Sequence, residues 1–212
     1  MKKKAFILLV SIGISCQSQQ RETNVRTNEE ESMITAKIET ATFSGGCFWC
    51  TEAVFLELKG VQKVQPGYSG GFTKNPTYKD ISTGTTGHAE VIEITYDANV
   101  ISFGTLLEVF FATHDPTTLN RQGNDIGTQY RSEIFYHDAQ QKEIVQAYIE
   151  LLALENTFGK PIVTQLSPAT TFYPAEDYHV NYYNQNKEQG YCTYVITPKI
   201  DKLKKEFSSI LK

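Results

Sequence analysis

Residues 90–111, E-V-I-E-I-T-Y-D-A-N-V-I-S-F-G-T-L-L-E-V-F-F, change hydrophobic period in mid-course. From Glu90 to Tyr96 the alternation is strict. Glu90, Ile92, Ile94 and Tyr96 fall on one face and Val91, Glu93 and Thr95 on the other, which predicts a strand. From Phe103 the spacing becomes i, i+3, i+4, i+7, i+8 through Leu106, Leu107, Phe110 and Phe111, which predicts an amphipathic helix. Strand followed at once by helix recurs on either side. Thr40–Ser44 reads as a short strand ending at Gly45-Gly46, and a helix follows Cys47 until Gly60 stops it. Val61–Tyr68 and Tyr130–Tyr136 read as strands. Asp138 with Gln141 opens a helix whose stripe is Ile144, Val145, Tyr148, Leu151 and Leu152. Pro161–Leu166 reads as a further strand, a short helix is expected within Tyr173–Asn186, and Ile200, Leu203, Phe207, Ile210 and Leu211 mark a terminal helix. Interleaved strands and helices without repeats predict an α/β (α+β) two-layer sandwich around one mixed sheet.

The whole chain has 212 residues, 40% of them hydrophobic and 21% charged, which suits a single globular core. Its net charge of −4 argues against nucleic acid as a main partner. The ends differ from the body. Met1-Lys2-Lys3-Lys4 followed by apolar Ala5–Ile14 has the form of an export signal, too short to span a bilayer comfortably. Ser15-Cys16 before a polar run resembles a bacterial lipoprotein processing site, with Gly13 departing from the usual branched aliphatic. Cys16 is therefore expected to carry a lipid, so that residues 1–16 are leader, 17–36 a polar tether and 37–212 the folded domain. The expected location is outside the cytoplasm, facing the periplasm, with the membrane met only through that anchor.

Lipidation of Cys16 would leave Cys47, Cys50 and Cys192. An odd number in an exported protein leaves a thiol free or transiently paired and points to chemistry. Cys47, in G-G-C-F-W-C at 45–50, follows a glycine turn at a helix start. There unpaired amides and the helix dipole are expected to favour its thiolate, and the glycines are expected to let backbone amides approach whatever the sulfur attacks. Cys47 and Cys50 form a C-x-x-C pair. Zinc would need a second pair of ligands at matching spacing, which the scattered histidines and Cys192 do not supply, so no metal and no cofactor are expected.

Four longer stretches, G-G-C-F-W-C-T-E, N-P-T-Y-K-D-I-S-T-G-T-T-G-H-A-E, H-D-P-T-T-L-N-R-Q-G-N-D-I-G-T-Q-Y-R-S and A-E-D-Y-H-V-N-Y, resemble the A-type peptide methionine sulfoxide reductases from about Thr40 to Thr197. The resemblance implies a ferredoxin-like core and reduction of the S epimer of methionine sulfoxide, free or in proteins. It implies that Cys47 attacks the sulfoxide sulfur and becomes a sulfenic acid. Glu90 would be the acid that serves the sulfoxide oxygen, at the head of an apolar strand face that suits a raised pKa. Tyr78 and Tyr130 would be hydroxyl donors to that oxygen, although by themselves they read as core tyrosines. Asp125, otherwise a turn residue, would hold the water and substrate network. Phe48 and Trp49 would cradle the methyl group, and His179 and Asp177 would support the site.

Family members often carry Gly where this chain has Cys50, and a resolving cysteine where it has Cys192. Both residues are candidates to attack the Cys47 sulfenic acid. Cys192 is favoured because Gly190 lets a mobile segment swing in, and a relay through both is a third route. A thioredoxin-like thiol donor is the implied partner, and a monomer is expected. Two other readings stay open: a general dithiol–disulfide oxidoreductase using Cys47 and Cys50, and a lipid-anchored module that binds oxidised or methionine-rich segments without turnover.

Overall fold

The computed structural model describes residues 35–212; the expected leader, Cys16 and residues 17–34 of the expected tether lie outside that range. Along the chain run β1 (Ile38–Gly45), α1 (Phe48–Leu56), β2 (Val61–Ser69), α2 (Tyr78–Ile81), β3 (Ala89–Asp97) and α3 (Phe103–Thr113). They are followed by β4 (Arg121–Gln122), β5 (Asp125–Ile126), β6 (Ser132–Tyr136), α4 (Ala139–Leu154), β7 (Gln165–Pro168), β8 (Tyr173–Pro174), α5 (Tyr182–Gln185) and α6 (Thr197–Glu206).

The six-stranded sheet has the order β7-β6-β1-β3-β2-β8. Only the β6–β7 pair is parallel, with α4 as its crossover, so the sheet is mixed as the alternating elements imply. The period-2 reading of 90–96 holds: Glu90, Ile92, Ile94 and Tyr96 are buried, while Glu93 and Thr95 are half-exposed. The apolar members of that face join Phe43 of β1, Phe55 of α1, and Phe103, Leu107 and Phe110 of α3 in one core. Phe43 is its centre, with ring centroids 4.9 Å from Phe110 and 5.6 Å from Phe55. A smaller cluster of Ala89, Val91 and Phe135, flanked by Phe172, forms on its own.

The short strands β4, β5 and β8 arise where no strand was expected, and two expected strands have different bounds. Tyr130 lies in a 3-10 turn, Thr128–Tyr130, and β6 starts only at Ser132. Pairing also begins later than Pro161, at Gln165, where β7 meets Glu133. Both boundaries are set by partners across the sheet, which local periodicity does not encode.

Register then assembles one end of the sheet. Gly45 at the end of β1 pairs with Ser132 at the start of β6, and Tyr68 near the end of β2 pairs with Glu90 near the start of β3. Antiparallel pairing thus brings Cys47, Glu90, Tyr68 and Tyr130 to a common edge from four separate stretches.

Candidate active site

Cys47 is the residue before α1, in extended geometry, and its carbonyl accepts the Cys50 N–H at 3.0 Å. The glycines before it serve packing. Gly46 has φ +93°, and a Cβ there would lie 2.6 Å from Gln122 Cβ; a Cβ on Gly45 would meet the Phe110 ring at 2.9 Å. Gln122 is itself held by two hydrogen bonds to the Asp115 backbone, donating to its carbonyl and accepting its N–H. The missing side chains make room for the β4–β5 hairpin beside Gly46 and for the Phe110 ring beside Gly45. That hairpin carries Asp125 to the site.

The first amides of α1 face two acids. Phe48 N–H donates to Glu90 Oε2 at 3.0 Å, and the Trp49 amide favours the ionised form of the Cys47 sulfur. Burial pushes the Glu90 carboxyl up to about 8; the Phe48 amide opposes this, and the charges of Asp125 and Cys50 add to it. Glu90 thus holds a proton at neutral pH. With Oε2 accepting from Phe48, the other oxygen is free to present that proton.

Cys47 departs from the expected thiolate. Its thiol is pushed up, first by burial, then by its hydrogen bond with Cys50 and the charge of Glu90; the Trp49 amide pulls the other way and loses. A helix N-terminus favours the thiolate, but desolvation of a buried sulfur is larger. Cys50 moves in the opposite direction, down to about 7, through its hydrogen bond with Cys47 against the cost of burial, with help from Lys199 and Tyr191. The two thiols are thus displaced in opposite directions, and Cys50 is the sulfur of the pair that ionises more readily.

Around them stand the aromatic residues. Burial and the nearby Glu90 and Cys47 charges raise the Tyr78 hydroxyl to about 12, and the same causes, with Tyr78 itself, raise that of Tyr130. Both therefore remain proton donors. Phe48 is buried, 4.9 Å from His179 and 6.4 Å from Tyr78 between ring centroids. Trp49 Nε1–H donates to His179 Nδ1 at 3.0 Å, which leaves the His179 proton on Nε2. The indole lies flat on Tyr182, at 3.8 Å and 7°.

Cys192 is not on an open, swinging segment. It is buried at the start of a π-helical turn, Cys192–Ile196, that leads into α6. Burial raises its thiol, and the charge of Cys50 adds to that, so Cys50 is the sulfur it senses. Asp177 is exposed and contributes its backbone carbonyl, which accepts the Val180 N–H. Its neighbour Glu176 does what was expected of Asp177: Oε1 accepts the Tyr78 N–H and Oε2 the Tyr68 hydroxyl, each at 2.9 Å. Tyr191 is another residue the sequence reading missed. Its hydroxyl donates to Asp125 Oδ2 at 2.6 Å and lies 3.6 Å from Cys50 Sγ. Its only signal in the sequence is its place beside Cys192. A cavity of 390 Å³, lined among others by Cys47, Cys50, Asp125, Tyr191, Tyr194 and Lys199, opens onto the cysteine pair. Among the described residues no cluster of His, Cys, Asp and Glu is arranged to hold a metal ion.

Comparison with known proteins places these features in a family. A family profile described as peptide methionine sulfoxide reductase matches residues 39–211. The peptide methionine sulfoxide reductase MsrA of Deinococcus radiodurans is 53% identical over 187 residues, covering 88% of this chain and 91% of that protein. MsrA of Saccharolobus solfataricus is 54% identical over 175 residues, covering 82% and 98%. Among solved structures, reduced Mxr1 of Saccharomyces cerevisiae superposes with a TM-score of 0.65 at 34% identity, covering 73% of this chain and 89% of that one. Methionine sulfoxide reductase A of Corynebacterium diphtheriae gives 0.64 at 38% identity, covering 74% and 78%.

Proposed function

We propose that this chain, which belongs to the peptide methionine sulfoxide reductase family, reduces methionine S-sulfoxide, free and in proteins, by attack of Cys47 on the sulfoxide sulfur. The observation that carries this course is the buried Glu90 carboxyl, pinned through Phe48 N–H beside the cysteine. The Cys47 sulfur, its proton passing to the Cys50 thiolate, bonds to the sulfoxide sulfur as Glu90 passes its proton to the oxygen, with Tyr78 and Tyr130 donating hydrogen bonds to it. Transfer of the hydroxyl to Cys47 releases methionine and leaves Cys47 as sulfenic acid. Phe48 and Trp49 offer the methyl group an apolar wall. Oxygen, methyl and the remaining chain of the substrate then meet three different surfaces, which selects one sulfur configuration.

Cys50 attacks the sulfenic sulfur first, because it lines the same cavity one turn along from Cys47 and its thiol is the one pulled down to about 7. Water leaves and a Cys47–Cys50 disulfide forms. Cys192, whose thiol senses the Cys50 charge, then exchanges into that disulfide, and a thioredoxin-like dithiol reduces the result. The enzyme works as a monomer, exported by residues 1–16 and held at the membrane by a lipid on Cys16. Replacing Cys16 with Ser should move the protein from the membrane fraction to the soluble exported fraction.

The deciding assay is dithiothreitol-driven turnover of the two methionine sulfoxide epimers by the purified protein. Consumption of the S form alone, lost in Cys47→Ser, is the expected result. Insulin disulfide reduction without sulfoxide turnover would favour the general oxidoreductase, and binding without turnover the non-enzymatic module.

A further inference from the structure

Helix α1 buries a carboxyl that the reaction does not use. Glu52 is 1% exposed, and its Oε1 accepts the Asn181 N–H at 2.7 Å. The nearby Tyr182 amide also favours the charged form of this carboxyl, while Oε2 has no partner among the described residues. Burial raises the acid to about 7, and only those two amides hold it down. A buried acid with one oxygen unpaired costs stability that an apolar residue of similar size would not, so space-filling does not account for it.

The amide it holds is informative. Asn181 stands in the left-handed region at φ +54° and enters α5 without a side-chain cap of its own. Glu52 supplies the acceptor from a different helix. The next residue, Tyr182, is the ring stacked at 3.8 Å on Trp49. Trp49 and Glu52 are three residues apart on α1 and so lie on neighbouring positions of one helix face. One turn of helix thus carries both the indole and the anchor of the ring that covers it.

We propose that Glu52 is a positioning residue: by gripping the amide of Asn181, the residue before Tyr182, it keeps Tyr182 stacked on Trp49, and so fixes the wall that receives the substrate's methyl group. This rests on the reading of Trp49 as that wall. Trp49 is the only tryptophan in the chain, so its emission reports the stack directly.

The test compares Glu52→Leu, Glu52→Gln, Tyr182→Ala, the Glu52→Leu/Tyr182→Ala double variant and Trp49→Ala in the full enzyme with dithiothreitol as reductant. Glu52→Leu keeps the bulk and removes both oxygens, so it should fold; Glu52→Gln keeps the acceptor. Glu52→Leu should change Trp49 emission as Tyr182→Ala does and raise KM about tenfold with kcat nearly unchanged. The double variant should be no worse than Tyr182→Ala alone, and Glu52→Gln should stay within about twofold of the parent. Native emission and KM in Glu52→Leu, or additive losses in the double variant, would overturn the inference. An unchanged KM in Trp49→Ala would instead remove the methyl-wall reading, and the emission data would still decide whether Glu52 holds the stack.

Discussion

Glu90 and Cys47 show how a single side chain's chemistry depends on its surroundings. The Glu90 carboxyl sits at about 8 in the fold against 4.5 when exposed, so the folded protein holds a proton that the unfolded chain releases between those values. Its contribution to stability is complete below about pH 4.5 and is lost as pH rises through about 8. Two outcomes follow. The single-turnover rate of sulfoxide reduction should fall as pH rises through about 8, and Glu90→Gln should lack that limb and be slower by about 10²–10³-fold, measured by rapid-quench release of methionine. Glu90→Gln should also have the higher melting temperature at pH 9, because an amide is never ionised there.

At the scale of elements, the meeting of α1, the Cys192 turn and α6 governs recycling. If Cys50 resolves first, Cys50→Ser should complete one turnover and leave a sulfenic acid that dimedone labels by mass. Cys192→Ser should complete one turnover and accumulate the Cys47–Cys50 disulfide, with thioredoxin-driven recycling blocked. A rapid Cys47–Cys192 disulfide in Cys50→Ser would reverse that order. Helix α6 has a further part. Lys202 and Lys199 donate to the carbonyls of Ala112 and Thr113, capping the C-terminal end of α3 across the chain. Lys202→Met should cost about 1 kcal/mol, a fall of roughly 2–4 °C in calorimetry, without touching the cysteines. Lys199→Met should do the same and also raise the Cys50 thiol, since Lys199 is among the charges that lower it. Recycling by Lys199→Met should then need a higher pH than the parent, while its single-turnover reduction is kept.

The whole molecule is a core that holds several strand ends in register. Phe43 is fully buried between α1 and α3, two residues from Gly45, whose pairing with Ser132 fixes the site's edge. Phe43→Ala should cost about 3–5 kcal/mol and lower the melting temperature by roughly 10 °C, and the loss should exceed that of any substitution at the rim. Because the site is drawn from β1, β2, β3 and the turn before β6, loosening this core should lower activity before global unfolding. Activity measured along a urea titration would then fall ahead of the circular dichroism signal.

By itself, the sequence determined the period of each main element and hence the mixed α/β sheet. Residues 90–96 alternate and residues 103–111 repeat at helical spacing whatever they pack against, because period follows from backbone geometry. The motifs likewise placed Cys47, Glu90, Tyr78 and Tyr130 in one family pattern. What the sequence could not supply depended on contacts between distant residues. Desolvation outweighs the helix amide at Cys47, Gln122 fills the space that Gly46 leaves, and Glu176 takes the place expected for Asp177. Tyr191, Glu52 and the buried state of Cys192 came only from the tertiary structure. Burial and hydrogen-bond partnership are properties of what folds around a residue, and neither is written in its local neighbours.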